Sequence, residues 1–301
     1  MHEHFKGNLM LLIAAFIWGT AFVAQSAGME FVQPLTYNGI RTLIGAIVLL
    51  PVIWIFDRRN DKEHPVSAAE KKEIRRNSAI GGFWCGIALC IAGNLQQFGM
   101  DLTTAGKAGF ITSLYIVIVP LLGIFLKRKI PKIIWVSVAI AVTGFYLLCF
   151  QDDFSISRGD LLILCCALFF SIHIMTVDHF SLRSIDGVRM SCVQFFTSGT
   201  ITIILMFLFE QPTVSAIWAA KTTILYAGIM SSGVAFTLQI LGQKHTAPAA
   251  ATLLMSLESV FAALSGWALL HEHLSVKELC GCALVFAAVI LAQLPAPQKN
   301  K

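Results

Sequence analysis

Glu258 stands in the middle of an apolar stretch, LLMSLESVFAALSG, with no second charge beside it. A carboxyl there can carry a proton or hold a substrate amine. It can equally be a protonated group bonded to a neighbouring helix. An ionised carboxylate at the centre of a bilayer costs about 2.5–3.5 kcal/mol on insertion scales. Glu258 must therefore face the interior of a helix bundle, be protonated, or both. Arg41 is the second charge inside an apolar run. It can pair with a substrate carboxylate or an internal acid, or lay its stem along apolar surface with its head in water. His173 lies mid-run, where an imidazole can relay protons or bond between helices. Asn94, Gln96, Gln97 and Gln239 add amides, which donate and accept without a charge, as a polar solute or an interhelical bond requires. Trp18, Tyr115 and Trp267 offer aromatic faces that suit solute contact or plain packing.

The candidate substrate-binding residues are thus Trp18, Asn94, Gln96, Gln97, Tyr115, His173, Gln239 and Glu258. The candidates for charge or proton coupling are Glu258, Arg41 and His173. No catalytic constellation of paired acids, clustered histidines or a Ser/Lys dyad is visible. His-Glu-His occurs at 2–4 and at 271–273, but neither is His-Glu-x-x-His, so no metal is expected. The eight cysteines fall in apolar runs without zinc spacing and read as small reduced core residues. No cofactor is implied.

These side chains need helices to carry them across a membrane. The chain of 301 residues is 56% hydrophobic and 13% charged, with mean hydropathy +0.75. That leaves too little polar surface for a water-soluble globule of this length, which would carry about 25% charged residues. Apolar runs of about 20 residues span a bilayer as helices, because a helix satisfies its own backbone in hydrocarbon. The pattern predicts ten spans, near 8–27, 35–56, 79–99, 105–126, 133–150, 159–179, 188–209, 221–241, 247–270 and 276–294. The first is expected to be retained, since no Ala-x-Ala cleavage site follows it. A short surface helix is expected over 67–76, rich in good helix formers, and a disordered tail from PAPQKNK.

With both termini in the cytoplasm, 17 of the 22 Lys and Arg lie on the cytoplasmic side. Lys107, Arg158, Lys221 and Lys277 lie outside, with the acids Glu30, Asp101, Asp152, Asp153, Asp160 and Glu210. The positive-inside rule therefore predicts a multi-pass protein of the plasma membrane with both termini cytoplasmic. It also accounts for the net charge of +5, and no nucleic-acid-binding motif accompanies that charge.

An internal repeat is legible. Residues 95–126 align without gaps on 238–269, with eleven identities in 32 pairs. Gln96 falls on Gln239, Gly99 on Gly242, Thr103 on Thr246 and Ser113 on Ser256. A weaker match sets 9–18 against 161–170. Two halves, 1–150 and 151–301, each with five spans, would enter the membrane from opposite sides. Such inverted repeats let one central site open alternately to either face.

The runs LLIAAFIWGTAFVAQ, PLTYNGIRTLIGAIVLL, NLQQFGMDLTTAGKAGFITSLYIVIVPLLGIFLKRKIP and TAPAAATLLMSLESVFAALSGWALLHEHLS resemble the two EamA-type repeats of the drug/metabolite transporter superfamily. The resemblance spans about residues 8 to 294. It implies a basket of ten helices whose spans 3, 4, 8 and 9, with parts of 1 and 6, line a central cavity. It implies a secondary transporter for a small organic metabolite, since relatives mostly export amino acids, nucleosides or other metabolites and some take them up; export of an amino-acid-like or similar polar solute is the expectation. Ser259 follows Glu258 where many relatives carry proline, which argues against a proline hinge in span 9. Pro120 keeps a kink available in span 4.

The expected partners are a small solute, the lipid bilayer and protons, with the chain a monomer or a homodimer. The absence of a Gly-x4-Gly-Lys-Ser/Thr motif argues against ATP drive. The alternatives are a cationic drug exporter and, further off, a membrane-embedded enzyme or a scaffold that transports nothing.

Overall fold

The computed structural model describes residues 2–63, 67–103, 105–149, 157–270 and 275–293. Asp152, Asp153, the 271–273 triplet and the tail from residue 294 lie outside the described residues, as do the side chains of Lys107 and Cys149. The described chain is helical, with no strand. The helices are α1 (His2–Met29), α2 (Pro34–Glu63), α3 (Ala68–Leu102), α4 (Ala105–Thr112), α5 (Tyr115–Phe125), α6 (Lys132–Cys149) and α7 (Arg158–Ser181). There follow α8 (Gly187–Phe209), α9 (Val214–Ala219), α10 (Lys221–Tyr226), a π-helical segment (Ala227–Ala235), α11 (Phe236–Gln243), α12 (Pro248–Met255), α13 (Leu257–Leu270) and α14 (Val276–Gln293).

Eight stretches of helix are long and apolar enough to cross a bilayer, and α6 supplies a shorter apolar helix over Lys132–Leu147. The surface matches that reading. Phe125 is 83% exposed, Phe209 75% and Phe207 70%, positions that water would penalise and hydrocarbon does not. The protein is a multi-pass membrane protein.

Polar residues set the helix ends. Ser67 caps α3 by accepting from Glu70 N. Ser157 and Asp160 form a reciprocal capping box at α7, and the Asp186 side chain accepts from Val188 N and Arg189 N at α8. Two caps also join separate helices. Glu210 ends α8 and accepts from Leu35 N at 2.8 Å and Thr36 N at 2.7 Å, closing the N-terminus of α2. Thr103 Oγ1 donates to Asp160 Oδ1 at 2.6 Å, tying the end of α3 to the start of α7.

Three expectations about the elements change. The surface helix at 67–76 is the first part of α3 rather than a separate element. No breaker separates it from the apolar run, so the ladder continues. The fourth and ninth apolar runs are each broken, at Ser113–Leu114 and at Ser256. The eighth run changes to π geometry in its middle.

The packing is close at small residues. A Cβ on Gly82 would meet Met190 O at 2.7 Å, and one on Gly86 would meet Gln194 O at 2.7 Å, so α3 and α8 touch backbone to backbone. The largest apolar cluster joins α1, α5, α6, α12 and α14 through Leu11, Ile116, Phe145, Leu253 and Val285. It takes in residues of both broken helices, Ile116 and Val119 of α5 and Leu253, Leu257 and Val260 of α12 and α13.

Candidate functional site

The breaks in the two apolar runs build the site. In the first, Leu114 N donates to Ile111 O and Ile116 N to Ser113 O, replacing the wider α-helical ladder with tight turns. Pro120, one turn further on, cannot donate to Ile116 O, which weakens the ladder there again. In the second, Thr252 and Ser256 turn their hydroxyls back onto Ala249 O and Leu253 O. Such back-bonding bends helices.

Each break starts a new half-helix at the centre of the chain's apolar depth. Tyr115 is the first residue of α5, and Glu258 lies in the first turn of α13. A helix N-terminus favours negative charge, so Glu258 sits where its own backbone supports it. Tyr115 Oη donates to Glu258 Oε1 at 2.9 Å. Ser113 Oγ and Ser259 Oγ lie 2.7 Å apart, and Ser259 also donates to Gly109 O at 3.2 Å. Tyr115 and Glu258 are 143 residues apart, the same offset that sets Gln96 on Gln239. They are equivalent positions of the repeat, and they touch.

Arg41 approaches from α2. It is only 7% exposed, so it does not reach outward to water. Its Nε donates to Asn38 Oδ1 at 3.0 Å. Asn38 Nδ2 donates to Asn94 Oδ1 at 2.7 Å, and Asn94 Nδ2 donates to Thr202 Oγ1 at 3.0 Å. This relay crosses α2, α3 and α8 and fixes the guanidinium by one edge. Among the described residues, no carboxylate pairs with Arg41. The π segment makes room for it. A Cβ on Gly228 would meet Arg41 O at 2.9 Å, and one on Gly45 would meet Ser232 Cβ at 2.5 Å. Both glycines let α2 and the π segment close up, and Ser231 and Ser232 line the same cavity as the arginine. π-helical turns recur at functional sites because they re-aim side chains.

Trp18, Arg41, Gln96, Tyr115, Gln239 and Glu258 line one central cavity. Its volume is about 60 Å³, measured as the space that water centres can occupy. It is narrow, with room for a few waters rather than a pool. Asn94, Gln97 and His173 are not among its lining. Asn94 serves the arginine relay. Gln97 turns to Met29, with Nε2 2.7 Å from its Sδ. His173 is fully buried between α7 and α8, its Nε2 3.0 Å from Gln194 Oε1. Trp267 is 55% exposed on the outside of the bundle. Asp178, near the end of α7, is buried beneath Arg128, with a 2.6 Å ion pair between them. The loop after α5 folds Arg128 over it.

The sequence reading omitted several lining residues, among them Gln25, Asn38, Thr42, Thr112, Ser198, Ser231 and Ser232. Gln25 and the Ser231–Ser232 pair are polar interruptions of apolar runs and were findable on that ground. Phe22, Phe170, Phe195 and Phe236 also line the cavity. Nothing in sequence separates them from packing phenylalanines.

The arrangement can therefore hold an anion at Arg41, a cation or a proton at Glu258, and apolar matter between aromatic walls. The sequence profile described as the EamA-like transporter family matches the chain twice, over residues 5–150 and 157–294. The chain belongs to the EamA-like transporter family. An uncharacterized transporter of Archaeoglobus fulgidus is 30% identical to it over 296 residues, which cover 95% of this chain and 85% of the relative. The uncharacterized transporter YoaV of Bacillus subtilis is 22% identical, covering 95% and 96% of the two chains. A solved crystal structure of 17% sequence identity superposes with a TM-score of 0.78 over 98% of this chain and 99% of that one. This EamA-like protein is thus a transporter by family.

Proposed function

We propose that the protein is a secondary transporter that moves an amino-acid-like zwitterion by alternating access, in the direction of export across the plasma membrane. Ten spans would form two inverted five-span halves, 1–150 and 151–301, with both termini cytoplasmic. The observation that carries the solute class is the unpaired state of the cavity's charges. Among the described residues, Arg41 lacks a carboxylate partner, and Glu258 shares the cavity with it yet bonds only to Tyr115. A zwitterion supplies a carboxylate for the first and an ammonium for the second.

The meeting of Tyr115 with its repeat counterpart Glu258 supports the inverted arrangement. Two copies related by a two-fold axis bring a position against its own equivalent only at that axis. Half-helices that begin at the membrane's mid-depth are also the usual furniture of such sites. Coupling to protons would run through Glu258, the one acid among the described residues of the cavity lining.

A cationic drug exporter is the second reading. The aromatic lining beside Glu258 favours it, since ring faces attract cations. Arg41 in the same cavity weighs against a lone cation. Proteoliposome uptake of labelled neutral amino acids, nucleosides and organic cations, with and without a pH gradient, separates the readings. Saturable amino-acid flux, driven by the gradient and lost in Glu258→Gln, is the expected result. Saturable flux of cations alone would replace it with the second reading. No flux of any panel member through folded protein would remove both.

A further inference from the structure

Several buried polar atoms without a protein partner lie on α1, α7, α8 and α11. They are Trp18 Nε1, His173 Nδ1, Gln194 Nε2, Gln239 Oε1 and Gln243 Oε1. Phe236 packs edge-on against Trp18, with ring centroids 4.8 Å apart, and against His173 at 5.9 Å. Gln194 bonds His173 and precedes Phe195, another edge-on neighbour of Phe236 at 5.7 Å. Gln239 and Gln243 follow Phe236 at helical spacing on one face of α11.

The cluster has a direction. Gln239 and Phe236 line the central cavity. One turn on, Gln243 Nε2 donates to Ile174 O at 3.2 Å, joining α11 to α7. One turn beyond Ile174 on α7 lies Asp178, paired with Arg128 at 2.6 Å. The end of α11 sits beside the start of the chain, where Thr246 Oγ1 donates to Asn8 Oδ1 at 3.0 Å. A polar seam thus runs from the cavity to the face of the bundle that carries the N-terminus.

A buried donor or acceptor with no partner is a cost that a static core sheds by carrying apolar residues of the same shape. Leu or Met would fill these positions at no such cost. Amides and a neutral imidazole suit groups that must bond a passing polar molecule in turn, since each can donate or accept.

We propose that this seam between α7, α8 and α11 is the solute's route between the central cavity and the N-terminal face. Gln239, the His173–Gln194 pair and Gln243 are its successive hydrogen-bonding stations, suited to the polar head of a neutral or zwitterionic molecule. Phe236 closes the cavity end, and the Arg128–Asp178 pair closes the other. The proposal rests on the transporter reading.

Hydroxyl-radical footprinting of the unmodified protein in proteoliposomes tests it first, because the radicals mark side chains that meet water. His173 and Phe236 should be oxidised several-fold faster than Phe145, which is fully buried in the apolar cluster, and a mixture of neutral amino acids should slow them. A second measurement uses Gln243→Cys, read peptide by peptide with mass spectrometry so that native cysteines do not interfere. An impermeant maleimide on the N-terminal side should label it several-fold faster once Arg128→Ala opens the end, while a Val138→Cys control stays unlabelled. Oxidation of His173 and Phe236 no faster than Phe145 overturns the route. So does a Gln243→Cys as inert as Val138→Cys with the ion pair removed. Amino-acid flux measured in the same vesicles keeps the two failures apart. Flux with a dry seam removes the route alone, and a wet seam without flux of any panel member removes the solute and with it both readings.

Discussion

Replacing Arg41 with glutamine should weaken transport while leaving the fold as stable as before, or more so. The guanidinium is buried, has no carboxylate partner among the described residues and holds a single described hydrogen bond, to Asn38 Oδ1. A buried cation without a counter-ion is a standing cost to the folded state. The amide introduced by Arg41→Gln would still offer a donor to Asn38, so the relay to Asn94 and Thr202 survives. What disappears, in the proposed transport reaction, is the charge-assisted bond to a solute carboxylate. Such bonds contribute about 1.5–3 kcal/mol, and each ~1.4 kcal/mol is a factor of ten. The half-saturation concentration for a neutral amino acid should therefore rise about 10- to 150-fold. The same amino acid as its carboxamide lacks the group that Arg41 reads, so its flux should hardly change between wild type and variant. Counterflow in proteoliposomes with the labelled pair, beside a thermal melt of each protein, gives the comparison. Equal weakening of acid and amide would refute the carboxylate role. A lower melting temperature would refute the reasoning about the unpaired charge. Arg41→Lys should fall between, since an ammonium keeps the charge but not the planar fork.

Tyr115→Phe removes the donor to Glu258 Oε1 and should cost about 1–2 kcal/mol, seen as a melting temperature lowered by a few degrees. Glu258→Gln should make flux indifferent to an imposed pH gradient, and a gradient-driven flux identical to wild type would return Glu258 to a structural role. Gly19→Ala should be poorly tolerated, because its Cβ would lie 2.5 Å from Phe261 Cβ and 2.8 Å from Glu258 O. Overpacking of that kind costs about 1–3 kcal/mol. Gly109→Ala, whose nearest neighbour would be Ser259 Oγ at 3.6 Å, should melt and transport like wild type. For topology, a fluorescent protein fused after Lys301 should glow and a phosphatase fused there should stay inactive. The reverse pattern would invert the proposed orientation.

The helical membrane class was legible because the bilayer constrains sequence so heavily. A run such as 188–209 has one viable structure in hydrocarbon, and its long apolar stretch announces it. The polar landmarks Glu258, Arg41, Gln96 and Gln239 were legible for the same reason, since apolar surroundings make each conspicuous. The helix breaks at Ser113 and Ser256 were not. Serine is common in helices, so neither the back-bonding of Ser256 nor the contact of Ser113 with Ser259 across the two runs is visible in sequence. The π segment at 227–235 was hidden likewise, because it arises from the fit of Gly45 against Ser232 across two helices. His173, Asn94 and Gln97 looked equivalent to the cavity amides in sequence. Only the rotation of each helix decides which of them meets the cavity, and apolar runs with little amphipathic contrast do not encode that rotation.

In the proposed inverted arrangement, the contact between Tyr115 and Glu258 sets a limit on how such a transporter can be made. A dimer of one identical half would present the same side chain twice wherever its symmetry axis runs. Two carboxyls would repel once ionised, and two phenols would offer no acid to titrate or to receive a cation. Carrying both halves on one chain releases that constraint. The centre can then hold a donor facing an acceptor, an asymmetry at a single position that leaves the surrounding helices free to exchange roles.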